Sequence, residues 1–185
     1  MIQLIYGGSG SGKSAFAEER VVDCNHSKRF YIATMQVYGE EGRKKVERHR
    51  QLRAGKGFMT IEQPRDIDLS IAAMKNAIKE SDEPEPKETV ALLECVSNLV
   101  ANEMFCEGEQ RPEELVVEKV VRNLRELSGS VKHLVIVSNN IFEDGIAYDE
   151  STRAYMRVLG SINHALADMA DQVYEVVVGI PVRVK

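Results

Sequence analysis

Short apolar runs alternate with longer amphipathic segments along most of this chain. The runs are four to seven residues long and mostly continuous, which is typical of strands buried on both faces of a parallel sheet. The segments between them repeat apolar residues three or four positions apart, which is helical spacing. We therefore predict strands at residues 2–6, 30–34, 58–62, 89–94, 133–138, 173–179 and 181–184, and helices at residues 15–23, 39–53, 67–80, 97–105, 112–128 and 149–170. The last two strands are expected to form a hairpin or one kinked strand.

This alternation predicts an α/β fold with a mainly parallel sheet flanked by helices. A chain of 185 residues is expected to form a single domain, residues 1–185, with a sizeable core. The acidic, proline-bearing stretch at residues 81–88 is interpreted as a solvated loop within that domain. Ligands of parallel sheets bind at the carboxyl ends of the strands, so the polar residues that follow each strand are the first candidates for chemistry.

A glycine-rich loop follows the first predicted strand. It reads Gly7-x-x-x-x-Gly12-Lys13-Ser14, the full P-loop pattern, and it lies between a strand and a helix as that motif requires. Glycine lets successive backbone N–H groups curl around a phosphate, Lys13 brings positive charge to the β and γ phosphates, and Ser14 offers a hydroxyl to Mg²⁺. The alternative is an ordinary glycine-rich turn, and the flanking elements favour phosphate binding over it. The predicted phosphate-binding residues are Gly7, Gly8, Ser9, Gly10, Ser11, Gly12, Lys13 and Ser14.

Glu94 ends the buried run at residues 89–94. A P-loop enzyme needs an acid at the end of such a strand to hold Mg²⁺, directly or through water. We therefore predict a metal site formed by Ser14 and Glu94. The alternative is a solvated acid at a strand end, but the P-loop favours the metal role.

His49 lies in a strongly charged helical segment, VERHRQLR. Neutral imidazole is a good nucleophile toward phosphorus, and the guanidinium groups of Arg48, Arg50 and Arg53 match phosphate oxygens. From these residues alone, however, a charged helix face in water is the simpler interpretation. The remaining histidines are interpreted as structural or solvated: they are His26, His133 and His164.

Two arginines of the last predicted helix, Arg153 and Arg157, leave two interpretations open. Either one clamps a phosphate, or both lie on a solvated helix face. No group of histidines and cysteines has the spacing of a zinc site, so zinc chemistry is not indicated.

Composition and charge narrow the classes of partner. The net charge of −5 and the pI near 5.5 argue against a nucleic-acid partner, although a single loop can still be positive enough to bind a nucleotide. The three cysteines are isolated from one another, which suits reduced thiols and a cytoplasmic location. The apolar run at the start is too short for a signal peptide, and no stretch reaches the length of a membrane span.

Several separated motifs resemble those of one family. They are the opening GGSGSGKS, the strand FYIAT, the segment VERHRQLR followed by FMTIEQP, the segment LLECVSNLVANEMF, and the ending ADMADQVYEVVVGIPVRVK. In this order they resemble the bifunctional adenosylcobinamide kinase and adenosylcobinamide-phosphate guanylyltransferase family of cobalamin biosynthesis. The P-loop alone is unspecific, whereas the ordered set, which extends along nearly the whole chain, is much more specific.

The resemblance implies two reactions and a set of residues for them. A nucleoside triphosphate phosphorylates adenosylcobinamide; GTP then loses pyrophosphate, and its GMP is held on a histidine and passed to adenosylcobinamide phosphate. The resemblance places that histidine at His49 and implies a homotrimer with a P-loop fold of the RecA-like type, with Mg²⁺, ATP and GTP as cofactor and substrates. The implied nucleotide contacts are residues 7–14, Ala33, Thr34, Met35, Arg50, Gln51, Leu52, Arg53, Glu62 and Glu94.

The chain departs from the family pattern at three places, two of them in its second half. The family's turn after the strand at 133–138 carries a glutamate, whereas this chain has Asn139-Asn140-Ile141-Phe142. On the last helix, Tyr155-Met156-Arg157 stands where the family has a Phe-Arg-Asp run, and Lys45 replaces the arginine that opens the histidine motif. These changes keep two alternatives open: a single-step P-loop kinase or NTPase acting on another small alcohol, and a nucleotide-binding regulatory module without turnover.

Overall fold

The computed structural model describes residues 1–24, 28–36, 39–40, 55–80, 89–106, 108–142 and 145–185. Most of the helix predicted at residues 39–53, including His49 and its arginines, therefore lies outside the described residues. So does the predicted loop at residues 81–88.

The described residues form nine strands and five helices. The strands are β1 (Ile2–Gly7), β2 (Lys28–Ala33), β3 (Phe58–Glu62), β4 (Thr89–Glu94), β5 (Phe105–Cys106), β6 (Glu109–Gln110), β7 (His133–Asn139), β8 (Gln172–Val177) and β9 (Ile180–Arg183). The helices are α1 (Lys13–Asp23), α2 (Leu69–Lys79), α3 (Val96–Met104), α4 (Glu113–Ser130) and α5 (Glu150–Met169).

Seven of the strands form one sheet in the order β3-β2-β4-β7-β1-β8-β9. Every neighbouring pair from β3 to β8 is parallel, and only β9 runs antiparallel, to β8. The predicted α/β fold with a mainly parallel sheet is confirmed. The order places β7 between β1, which leads into the P-loop, and β4, which ends at Glu94.

The core lies on both faces of this sheet, because alternate residues of each central strand point to opposite sides. On one face Leu4 and Ile32 pack with apolar residues of α2, α3, α4 and α5. On the other face Ile5 and Leu92 pack with Ala17 and Val21 of α1. This double burial explains the continuous apolar runs from which the strands were predicted.

The predicted boundaries agree to within about two residues, with one addition. The helix predicted to reach residue 105 ends at Met104, because Phe105 pairs with Gln110 in the two-residue hairpin of β5 and β6. At the carboxyl terminus the chain forms a hairpin, turning at Val178 and Gly179, which both have positive φ, 49° and 83°. Among the described residues no helix is long and apolar enough to cross a membrane.

Candidate active site

The carboxyl ends of the parallel strands bring the predicted site residues to one edge of the sheet. Gly7 of β1 lies opposite Asn139 of β7, and Ala33 of β2 lies opposite both Glu94 of β4 and Glu62 of β3. The edge is the one at which ligands of parallel sheets bind. The register therefore assembles the P-loop, Glu94 and the residues after β2 as the sequence predicts.

Backbone hydrogen bonds from two other segments of the chain hold the P-loop in place. Gly12 adopts φ 92° and ψ 0° at the start of α1, a left-handed conformation that favours glycine. The amide of Asn140 donates to the Gly7 carbonyl at 2.9 Å, and the amide of Gly179, in the β8–β9 turn, donates to the Ser11 carbonyl at 2.8 Å. The carboxyl-terminal hairpin thus supports the loop from the side opposite Glu94, a contact that the sequence did not indicate.

Gly7 has no room for a side chain. A Cβ at this position would lie 2.7 Å from the carbonyl oxygen of Val176 and 2.8 Å from Ser11 Oγ. We expect Gly7→Ala to lower the free energy of unfolding by about 2 kcal/mol, because the backbone of β8 must move to accept the methyl group. Urea denaturation measures this change.

Gly129, near the end of α4, provides the matched control. A Cβ there meets no atom within 4 Å, and the residue is helical. Gly129→Ala should therefore raise the free energy of unfolding by about 0.5 kcal/mol, since alanine is the better helix former. Equal effects of the two substitutions would contradict the close approach of β8 to the P-loop.

Lys13 is buried at the base of the P-loop. Its ammonium donates to the carbonyl of Gly8 at 2.9 Å, and the side chain is 7% exposed. Burial lowers the pKa of Lys13, while the nearby Cys95 and Glu94 partly oppose this by favouring the charged form. An ammonium that has lost much of its hydration gains strongly from an anionic phosphate placed beside it.

Ser14, at the start of α1, and Glu94, at the end of β4, are in direct contact, although β7 separates β4 from β1, the strand that leads into the P-loop. The Ser14 hydroxyl donates to Glu94 Oε1. The other carboxylate oxygen, Oε2, accepts a hydrogen bond from the hydroxyl of Tyr31 at 3.0 Å. A hydroxyl oxygen at the end of the P-loop and a carboxylate oxygen at the end of β4 thus lie together, and both are oxygen ligands of the kind that Mg²⁺ prefers.

Few other protein ligands are available at this point. Among the described residues, no group of three or more histidine, cysteine, aspartate or glutamate side chains is placed to hold a metal ion. That suits Mg²⁺, which keeps several waters and takes one or two protein ligands together with substrate phosphates. The oxygens of Ser14 and Glu94 therefore fit Mg²⁺ bound together with a nucleotide.

A buried network fixes the turn behind Glu94. Thr34 is fully buried, and its Oγ1 accepts from the amide of Cys95 at 2.7 Å and donates to the Cys95 carbonyl at 2.8 Å. The Ser97 hydroxyl contacts Cys95 Sγ at 3.0 Å and accepts from the side-chain amide of Asn139. The Tyr155 hydroxyl donates to the carbonyl of Ser97 at 3.1 Å, and burial raises the pKa of Tyr155 to about 12.

The remaining predicted nucleotide contacts lie at different distances from the P-loop. Met35 follows β2 and is partly exposed, whereas Glu62 lies exposed at the end of the edge strand β3. Three strands separate β3 from β1, so at about 4.8 Å per strand Glu62 lies about 19 Å from the P-loop. The other predicted contacts, Arg50, Gln51, Leu52 and Arg53, lie outside the described residues, as does the predicted nucleophile His49.

Arg157 is engaged in ion pairs on the surface of α5. Its guanidinium donates to both oxygens of Glu113, at 2.7 and 3.1 Å, and to Glu150 at 2.9 Å. These hydrogen bonds raise its pKa, and they lower that of Glu113. Arg153 also contacts Glu150, at 3.1 Å, and is exposed. Of the two interpretations left open above, this geometry favours a solvated helix face for both arginines.

The sequence analysis did not identify Tyr31 or Ser97 as residues of the site. The signal for Tyr31 was its position inside a buried strand, because a buried phenol hydroxyl needs a hydrogen-bond partner. The signal for Ser97 was weaker, since a serine in the first turn of a helix has many uses. In both cases the partner comes from a distant part of the chain.

Comparison with known proteins gives one family and three relatives. The family described as cobinamide kinase / cobinamide phosphate guanyltransferase matches residues 3–184. The bifunctional adenosylcobalamin biosynthesis protein CobU of Escherichia coli (strain K12) is 31% identical over 194 aligned positions, covering 100% of both chains. The protein of that name in Salmonella typhimurium is 29% identical with the same coverage. The bifunctional adenosylcobalamin biosynthesis protein CobP of Pseudomonas aeruginosa is 28% identical, covering 100% of this chain and 98% of its own.

Proposed function

Because the chain belongs to the cobinamide kinase / cobinamide phosphate guanyltransferase family, we propose that it carries out both reactions in cobalamin biosynthesis. It is an enzyme with a P-loop NTPase-like fold, of the kinase and nucleotidyltransferase classes. In the first reaction a nucleoside triphosphate phosphorylates adenosylcobinamide. In the second, GMP from GTP is joined to adenosylcobinamide phosphate. The observation that carries the proposal is the contact of Ser14 with Glu94 beside the P-loop and Lys13, in a chain that matches the family almost from end to end.

Phosphoryl transfer would use the described part of the site. Backbone amides of residues 7–14 bind the phosphates, and Lys13 neutralises charge on the group being transferred. Ser14 and Glu94 would hold Mg²⁺, which when bound neutralises charge shared by the β and γ phosphates. The hydroxyl of the corrinoid side chain attacks the γ phosphorus and loses its proton to solvent, the bond from that phosphorus to the bridging oxygen breaks, and the nucleoside diphosphate leaves.

Guanylyl transfer would begin at His49. A ring nitrogen of the neutral imidazole attacks the α phosphorus of GTP, a P–N bond forms, and the bond to pyrophosphate breaks. An oxygen of adenosylcobinamide phosphate then attacks the same phosphorus, and the P–N bond breaks as GMP is transferred. Arg50 and Arg53 are proposed to stabilise the charge that develops on the phosphate, because guanidinium binds phosphate oxygens in pairs.

The nucleoside is proposed to extend from the P-loop along the strand ends. The triphosphate lies near Gly7, and Ala33, Met35 and Glu62 follow in that direction across the sheet. Thr34 would act mainly by holding the turn at Cys95, since it is fully buried. Gln51 and Leu52 complete the nucleotide contacts that the family resemblance implies.

We also propose a single domain, a cytoplasmic location and a homotrimer. The support for self-association is a set of exposed apolar side chains on the carboxyl-terminal hairpin, an unusual concentration for the surface of a monomer. Their exposed fractions run from 47 to 86%: they are Val177, Val178, Ile180, Val182 and Val184.

A second candidate function is a single-step P-loop kinase acting on another small alcohol. It is favoured by one observation: the arginine in the altered Tyr155-Met156-Arg157 run is held in ion pairs with Glu113 and Glu150. An arginine engaged in this way is not presented to a substrate, which favours a substrate other than the corrinoid.

Incubation with adenosylcobinamide, Mg²⁺ and either ATP or GTP tests the proposal. With ATP alone we expect adenosylcobinamide phosphate, and with GTP the GDP-linked corrinoid and pyrophosphate, separated by chromatography. Phosphorylated adenosylcobinamide without any GDP-linked product would refute the guanylyl transfer alone. Neither product from adenosylcobinamide, but phosphorylation of another small alcohol by ATP, would support the single-step kinase. GTP binding without turnover of any of these substrates would support a regulatory module.

A further inference from the structure

Tyr31 contacts the carboxylate that is proposed to bind Mg²⁺. We propose that Tyr31 is a positioning residue that keeps Glu94 a one-oxygen ligand and thereby favours Mg²⁺ over larger divalent cations such as Ca²⁺. This inference rests on the proposed function, because it assumes the metal site at Ser14 and Glu94. In this proposal Tyr31 acts through its hydrogen bond to Glu94 and is not itself a metal ligand.

The two oxygens of Glu94 have different partners. Oε1 accepts from the Ser14 hydroxyl, and Oε2 accepts from the Tyr31 hydroxyl at 3.0 Å. A cation that enters between Ser14 and Glu94 replaces the hydrogen bond that now joins them, and the Ser14 hydroxyl keeps its proton and turns it away from Glu94. The hydrogen bond from the Tyr31 hydroxyl to Oε2 is made to the other carboxylate oxygen and need not break. Oε1 is then the oxygen that remains available to the cation.

The fold brings Tyr31 to this place and holds it there. Ala33 lies opposite Glu94 in the neighbouring strand, so Tyr31, two residues earlier, points to the same face of the sheet as Glu94. Tyr31 is 3% exposed, and its ring meets that of Phe58 edge to face at a centroid distance of 6.0 Å. A buried ring packed in this way cannot turn aside without breaking that contact, so the hydroxyl stays on Oε2.

Carboxylate geometry then discriminates between cations. Ca²⁺ accepts six to eight oxygens and readily takes both oxygens of one carboxylate. Mg²⁺ is smaller and requires a nearly octahedral arrangement. A carboxylate with one oxygen fixed by Tyr31 suits Mg²⁺ without change, whereas two-oxygen binding of Ca²⁺ has to break a charge-assisted hydrogen bond.

The test is a nucleotide-binding cycle on the full chain. The probe is a GTP analogue with a methylene bridge between the α and β phosphates, which cannot lose pyrophosphate. Its affinity is measured by calorimetry with EDTA, with Mg²⁺ and with Ca²⁺. The increase in affinity over the EDTA value, called here the Mg²⁺ gain or the Ca²⁺ gain, reports contact between metal and protein. In Tyr31→Phe we expect the Mg²⁺ gain to fall about fivefold, since Glu94 is less well oriented, and the Ca²⁺ gain to hold or rise.

Tyr174→Phe is the matched control. The Tyr174 ring also meets a phenylalanine edge to face, that of Phe16 at 5.3 Å, and its hydroxyl donates to Gln172, away from Glu94. The ratio of the two gains should be unchanged in this variant. An unchanged ratio in a folded Tyr31→Phe protein would overturn the inference.

Failure of the metal site itself gives a different result. If the unchanged protein shows no gain with Mg²⁺, or if Glu94→Gln leaves that gain intact, the proposed metal site is wrong and the inference falls with it. If Glu94→Gln removes the gain while Tyr31→Phe keeps the ratio, the metal site stands and only the role of Tyr31 is refuted.

Discussion

Replacing Lys13 by methionine is expected to remove both reactions, lowering kcat/KM for phosphoryl transfer and for guanylyl transfer by at least about a hundredfold. The methionine side chain is similar in length and apolar, so the change removes the charge and the hydrogen bond to the Gly8 carbonyl. Both reactions develop charge on a phosphate bound in the same P-loop, and the ammonium is buried beside it. Rates are measured with adenosylcobinamide and ATP for the first reaction and by pyrophosphate release from GTP for the second.

The fold should survive this change. Because burial already lowers the pKa of Lys13, the charged form is costly to hold in the protein without a phosphate. We therefore expect the free energy of unfolding of Lys13→Met to stay within about 1 kcal/mol of the original value. The control is Lys28→Met: Lys28 is also buried, but it lies at the amino end of β2, away from the site. Loss of only one of the two reactions in Lys13→Met would show that they do not share the P-loop.

Much of the fold and the centre of the site could be predicted from the sequence because their signals are local. Strands such as β4 are continuous apolar runs, since helices cover both faces of the sheet. Gly12 and Lys13 belong to a motif in which a tight turn, a phosphate and a helix end require fixed spacing. Glu94 follows from its place at the end of a buried strand. The structure brings it into contact with Ser14, although β4 and β1, the strand that leads into the P-loop, are not neighbours.

The hydrogen bonds that hold the site in place could not be predicted, because each joins distant parts of the chain. Tyr31 reaches Glu94 across 63 positions of sequence, and Thr34 reaches Cys95 across 61. The turn at Gly179 lies against the P-loop only because β8 pairs with β1. Composition and periodicity carry no information about such pairings until the strand order is known. The two-residue hairpin of β5 and β6 was missed for a different reason: it is too short to show any period.

Substitutions at Lys13 and at His49 are expected to affect the two reactions differently, and that difference is the sharpest test of two reactions in one chain. His49→Ala should abolish covalent labelling by α-labelled GTP and the formation of GDP-linked corrinoid, because no other group is proposed to hold GMP. The rate at which ATP phosphorylates adenosylcobinamide should stay within about threefold of that of the unchanged protein, since the phosphoryl group passes directly between the substrates. The label on the unchanged protein should survive alkali and be lost in acid, as expected of a phosphoramidate.

His164→Ala is the control for this prediction. His164 is on α5, its side chain is 82% exposed, and its nearest charged neighbour is Asp168 at 3.7 Å, so its loss should affect neither reaction nor the label. Equal loss of both reactions in His49→Ala would contradict separate roles and place His49 in a function common to both steps, such as nucleotide binding. A label that persists in His49→Ala would instead assign the covalent intermediate to another residue, while the P-loop, Lys13 and Glu94 would keep their proposed part in binding the triphosphate.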